Sequence, residues 1–164
     1  MKSKFFLLIM VTIIAMPSFG QKNIDQILRK YKNDEGVVNM NFTGEILKMF
    51  NESKSNIKST IEGVDILVFK KGDDIQAEDK AKIKSVLTRD KYDMLVDVKN
   101  KTQKVTLYAI DGGKFLNKIY AHVNMPDMNA YLILSGNIIF EELAKLGMDF
   151  QSGDGLKILE SNKK

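Results

Sequence analysis

From Lys104 to Val123 the chain alternates apolar and polar residues on both sides of Asp111-Gly112-Gly113. Lys104-Val105-Thr106-Leu107-Tyr108-Ala109-Ile110 runs into that turn, and Lys114 to Val123 runs out of it. Strict alternation bounded by a Gly-rich turn is the pattern of a β-hairpin. A three-residue loop, Asp111 to Gly113, pairs Ala109 with Phe115, Leu107 with Asn117 and Val105 with Ile119. One face then collects Val105, Leu107, Ala109, Phe115, Ile119, Ala121 and Val123. The other collects Lys104, Thr106, Tyr108, Leu116, Lys118, Tyr120 and His122. A shift of one residue would mix these sets, so a sheet with one buried face selects this register. Gly113 can close the loop in the left-handed conformation.

The N-terminus carries a different signal. Lys2 and Lys4 precede an apolar run from Phe5 to Ala15, followed by Pro17-Ser18-Phe19-Gly20. A basic start, a short apolar stretch and small residues before a cut are the parts of a secretory signal peptide. The run is shorter than the roughly 20 residues that span a bilayer. Cleavage after Gly20 would leave 144 residues, with 23 Lys and Arg against 21 Asp and Glu, a net +2. That charge is too small and too evenly spread to indicate nucleic-acid binding. The chain has no Cys and one His, which excludes disulfides and argues against structural zinc. The expected division is a signal peptide over 1–20, one domain over 21–150 and a flexible polar tail over 151–164. The expected compartment is the periplasm or the medium, with no transmembrane segment after cleavage.

Along the mature chain, Ile24, Ile27, Leu28 and Tyr31 form one apolar stripe on a short helix. Val38, Met40 and Phe42 alternate on a first strand. Thr43 is placed to cap a helix carrying Ile46, Leu47 and Phe50, and Ile57 and Ile61 fit a further helical turn. Val64 to Phe69 is a second strand, apolar on nearly both sides, which suggests a central position. Ala77 to Thr88 predicts a helix with Ile83, Val86 and Leu87 inward and Glu78, Lys80, Lys82 and Lys84 outward. Met94, Val96 and Val98 form a third strand before the hairpin, and Tyr131 to Ser135 is the last strand. Gly136-Asn137 leads into a helix with Phe140, Leu143, Ala144 and Leu146. The predicted fold class is α+β: a single domain with a mixed, mostly antiparallel sheet and helices packed on one face.

The apolar helix with Tyr31, the strand Val37-Val38-Asn39-Met40-Asn41-Phe42 and the closing Tyr131-Leu132-Ile133-Leu134-Ser135-Gly136-Asn137-Ile138 carry a resemblance. The chain resembles a family of small exported Bacteroidetes proteins grouped as domain of unknown function 4252, over roughly Ile24 to Gly147. The resemblance implies export and an α+β domain, and hints at envelope signalling. It transfers no catalytic residue.

No constellation points to catalysis. Ser135-Gly136 lacks the flanking pattern of a nucleophile elbow. Asp111-Gly112-Gly113, Asp73-Asp74 and Asp154-Gly155 are turns without the ligand series of a calcium loop. Glu141 and Glu142 suit the first turn of a helix, where the dipole favours negative charge. The methionines of the mature chain read as core filling, so no cofactor or metal is expected. The surface that stands out is the second face of the hairpin. Tyr108, Lys118, Tyr120 and His122 are its candidate binding residues, read as a solvated face able to take an envelope protein or a small ligand. Thr, Lys and Tyr also occur on such faces through strand propensity alone. Two other readings are a small hydrolase using His122 and carboxylates, and a homo-oligomeric structural component joined through an exposed strand edge. A cleft grouping His122 with a carboxylate would favour the first, and an isolated solvent-facing His122 would count against it.

Overall fold

The computed structural model describes residues 22–44, 47–48 and 58–143. Six strands form one sheet: β1 (Val37–Phe42), β2 (Thr60–Lys70), β3 (Asp93–Lys99), β4 (Lys104–Asp111), β5 (Leu116–Met125) and β6 (Met128–Ile138). Their order is β1-β2-β6-β5-β4-β3. Every pairing is antiparallel, which corrects the expectation of a mixed sheet. Strands β3 to β6 form a meander joined by tight turns. The long apolar β2 is central, paired with β1 on one side and β6 on the other.

The helix α1 (Ile24–Leu28) continues as a 3-10 turn over Arg29–Tyr31. Asn23 caps it in a reciprocal box, accepting from Gln26 N while the Gln26 side chain accepts from Asn23 N. The predicted stripe is buried in full: Ile24, Ile27, Leu28 and Tyr31 all lie in the core. Burying each of the three aliphatic side chains contributes on the order of 2 kcal/mol. The helix α2 (Ala77–Arg89) connects β2 to β3, which lie four positions apart in the sheet, and so passes across one face of it.

Alternation along the strands divides the core in two. Val105, Leu107, Ala109, Ile119, Ala121, Val123, Leu132 and Leu134 belong to one cluster, with Leu47 and Leu143 against them. Leu67, Phe69, Tyr120, Tyr131 and Ile133 face the other way and meet Ile24, Ile27, Leu28, Ile83, Val86 and Leu87. The sheet is therefore covered on both sides, and the hairpin face read as solvated is partly core. Tyr120 is 5% exposed and Thr106 8%. Their polar atoms misled the reading because Tyr and Thr have the same strand propensity in either setting.

The hairpin departs from its predicted register while preserving its faces. The loop spans four residues, 112–115, with Gly112 N donating to Phe115 O and Asp111 paired with Leu116. A four-residue loop alone would turn every side chain over. One extra residue on β5, Asn117, forms a bulge, after which Ile110 pairs with Lys118, Ala109 with Ile119 and Tyr108 with Tyr120. Together they slide the ladder by four residues from the predicted pairing, Ala109 meeting Ile119 in place of Phe115, and an even shift keeps each side chain on its face. Gly113 does adopt a left-handed conformation, φ +89°, with its N–H donating to Asp111 Oδ1 at 2.6 Å. Leu116, before the bulge, falls to the opposite side from its prediction and packs on the first cluster.

Two further expectations are corrected. Ile61 lies on β2 and not on a helical turn. Gly136-Asn137 is not a helix lead-in, because β6 continues through both to Ile138. Gly136 sits at φ +145° opposite Ile61, where a Cβ would come within 2.1 Å of Thr60 O. Only glycine allows that approach. A 3-10 turn follows at Phe140–Glu142. Its Glu142 is buried and accepts from Lys58 N, Ser59 N and Ser59 Oγ, a structural task that the helix-dipole reading missed. Of the helix predicted around Ile46 to Phe50, Leu47 and Lys48 are helical, and the rest lies outside the described residues. So do Ile57, Ala144, Leu146 and the predicted signal peptide and tail.

Candidate functional site

The helical layer packs on β2, β6 and β5 and ends against Tyr108 of β4. Where it stops, an open cleft of about 470 Å³ separates α2 from the strands. Three rows of cross-strand pairs form its floor: Lys104 with Asn124, Thr106 with His122, and Tyr108 with Tyr120. Tyr131, opposite His122 on β6, completes the floor. Lys80, Ile83, Lys84 and Leu87 form the wall, at the spacing that puts them on one side of α2. Asp74 and Ile75 close the end before the helix.

The floor is aromatic. Tyr108 and Tyr120 lie with ring centroids 6.3 Å apart, Tyr120 and Tyr131 at 6.5 Å, and Tyr131 meets Phe69 edge-on at 5.8 Å. His122 stacks flat on Tyr131, centroids 4.4 Å apart and planes 5° from parallel. Burial holds its imidazole below the ordinary histidine range, and Lys80 and Lys104 act in the same direction against the opposing effects of Asp74 and Asn129. His122 Nε2 is buried and makes no hydrogen bond. An unpaired buried nitrogen costs about 1–3 kcal/mol, which a purely apolar residue in the same place would avoid.

Asp74 organises one end. Its Oδ1 accepts from Tyr131 Oη at 2.5 Å and from Ile75 N at 2.8 Å, and its Oδ2 accepts from Lys80 Nζ at 2.5 Å. Burial alone would raise this carboxyl, but the three donors hold it below the usual carboxylate range. Burial and the same Asp74 contact push the Tyr131 hydroxyl far up, so it stays a donor. Lys80 is thereby neutralised. Lys84 and Lys104 have no carboxylate partner among the described residues. Two uncompensated cations therefore flank the aromatic floor.

The cleft brings together three of the four candidate residues, Tyr108, Tyr120 and His122. Tyr120 contributes from the buried floor and Tyr108 and His122 from half-buried positions. Lys118 is not in the lining. Its Nζ pairs with Asp25 Oδ2 at 2.5 Å and ties β5 to α1. Sequence reasoning missed Asp74, Lys80, Lys84 and Tyr131. The helical period did place Ile83 and Leu87 inward, and Lys80 and Lys84 border that stripe, but nothing local shows that the border overlooks a cleft. A second crevice, under Arg29 and Lys32 and beside Asp65, holds about 20 Å³, room for one water and no ligand.

No group of three or more potential metal-ligating residues occurs among the described residues. No described helix is long and apolar enough to cross a membrane. The family model described as Domain of unknown function (DUF4252) matches residues 31–146, which takes in the wall and the floor of the cleft. No curated protein and no solved structure matches the chain.

Proposed function

The chain belongs to the DUF4252 family, and we propose that it is an exported, non-enzymatic binding domain whose recognition site is the cleft between α2 and the β4–β5 hairpin. The observation that carries this reading is the aromatic floor of Tyr108, Tyr120 and His122 beside Lys84 and Lys104, which have no carboxylate partner among the described residues, in a cleft of small-ligand size. Aromatic surface with a few convergent polar groups is what small-molecule sites use to gain affinity and orientation. The export part rests on the pattern from Met1 to Gly20. N-terminal sequencing of the protein recovered from the envelope fraction should begin at Gln21, and a chain still beginning at Met1 in the cytosol would refute it.

The test of the site is a thermal-shift screen of small metabolites on residues 21–164 and on Tyr108→Ala. Compounds should raise Tm of the parent by several degrees and lose most of that effect in the variant. Tyr108 is half-buried, so the variant folds with a modest loss of stability. Stabilisation that is indifferent to Tyr108 would sink the cleft as the site.

One observation favours a hydrolase as the second reading: Asp74 and His122 line the same cleft. Against it, the Asp74 oxygens are held by Tyr131, Ile75 and Lys80, and His122 Nε2 has no partner. An orienting carboxylate would have to hydrogen-bond the imidazole. Ester or amide turnover abolished by His122→Asn would support the hydrolase and overturn the non-enzymatic reading.

A further inference from the structure

Resting on the cleft as a binding site, we propose that its ligand is a small amphipathic anion, with a carboxylate or phosphate head and a flat apolar body. The argument comes from the order of the rows along the cleft. Lys104 and Asn124 stand at one end, Thr106 and His122 in the middle, and Tyr108 and Tyr120 at the other. Four residues of strand separate Lys104 from Tyr108, roughly 13 Å. The wall follows the same gradient. Lys80, held by Asp74, lies beside Tyr131, whereas Leu87 packs in the cluster that contains Tyr120 and borders Tyr108. Lys104 thus makes one end of the cleft cationic, while the tyrosines and Leu87 make the other apolar-aromatic.

Charge sets the sign of the head group. The carboxylate in the lining, Asp74, is matched by Lys80, which leaves Lys84 and Lys104 without a carboxylate partner among the described residues. Asp97 of β3 lies opposite Thr106 but is outside the lining. A cationic ligand would meet two like charges, and a neutral one would leave both lysines merely hydrated. An anion gains from both in a site whose apolar walls weaken solvent screening. The body of the ligand is read from the other end, where tyrosine rings and Leu87 offer apolar surface.

The probe is 2-naphthoate, with 2-naphthylmethanol as its uncharged counterpart, titrated into isotopically labelled protein and followed by amide shifts. The acid should produce saturable shifts at Lys84, Lys104, Tyr108 and His122 and bind about tenfold more tightly than the alcohol. Lys84→Gln plus Lys104→Gln, both on the surface, should remove that difference while leaving Tm unchanged. Saturable binding of acid and alcohol in the cleft with equal affinity would overturn the anion assignment and leave the cleft as a binding site. If the acid or the alcohol binds only elsewhere on the molecule, or neither binds, the present inference is lost. Failure of the wider metabolite screen as well would remove the cleft reading itself.

Discussion

His122 shows how one side chain joins fold and site. It is pressed flat against Tyr131, leaves a nitrogen unpaired and stays neutral more readily than a free histidine. Its folded pKa lies below the ordinary 6.5, so the unfolded chain takes up the proton first. The sign follows from linkage: this contribution to stability is present above pH 6.5 and is lost as pH falls below it. The groups facing it, Asp74, Lys80, Lys104, Asn129 and Tyr131, partly oppose one another, and burial decides the direction. His122→Phe should flatten the fall in Tm between about pH 7 and 5. A parent Tm that is level over that range would contradict the account. Sequence reasoning selected His122 because it is the one histidine, and placed it on the correct face. Its contact with Tyr131 and its place in a cleft were not legible, because they depend on a strand pairing and a helix that local pattern does not position.

At the scale of elements, α1 and α2 are held together by a polar contact at the edge of their shared apolar cluster. Lys30 Nζ donates to both Asp79 oxygens at 2.8 Å, Tyr31 Oη donates to Asp79 Oδ2 at 2.6 Å, and Gln76 N donates to Tyr31 Oη at 3.0 Å. Lys30, with Tyr31, holds the Asp79 carboxyl down to about 2. Asp79 is covered by its partners and sits close beneath the surface, so screening leaves the contact worth on the order of 1–2 kcal/mol. Its folded pKa lies below the unfolded value of 3.8, so this stability is present above pH 3.8 and is lost as pH falls toward about 2. Asp79→Asn should cost that amount at pH 7 in a urea titration and remove the matching loss in acid. An unchanged midpoint at pH 7 would show that the helices dock through apolar contact alone.

The same scale shows what sequence could carry. Periodicity located α1, α2 and the six strands, because each has a face that must be buried. It failed where the determinant was not periodic. The bulge at Asn117 and the close approach at Gly136 depend on partner strands. Gly next to Asn locally resembles a helix lead-in as much as a strand bend.

For the whole molecule, the central feature is an α2 crossover that covers only part of a wide sheet. A helix joining β2 to β3 must traverse four strand positions, and its thirteen residues cover a limited width. The uncovered margin becomes the cleft on one side and an exposed β3 edge on the other, with Met94 54% exposed there. Met94 therefore departs from the core role expected of the methionines. The sequence pattern pointed to Tyr108, Tyr120 and His122 together because one strand face carries them. It could not distinguish a solvated face from a half-roofed one, since the roof comes from residues at least 20 positions away.

The most direct test is to map where a stabilising compound binds, using amide shifts on residues 21–164, with the best compound from the thermal screen. Shifts concentrated on Lys84, Leu87, Lys104, Tyr108 and His122, and lost in Tyr108→Ala, are the predicted result. Shifts centred on the β1 or β3 edge, with the cleft silent, would contradict the account.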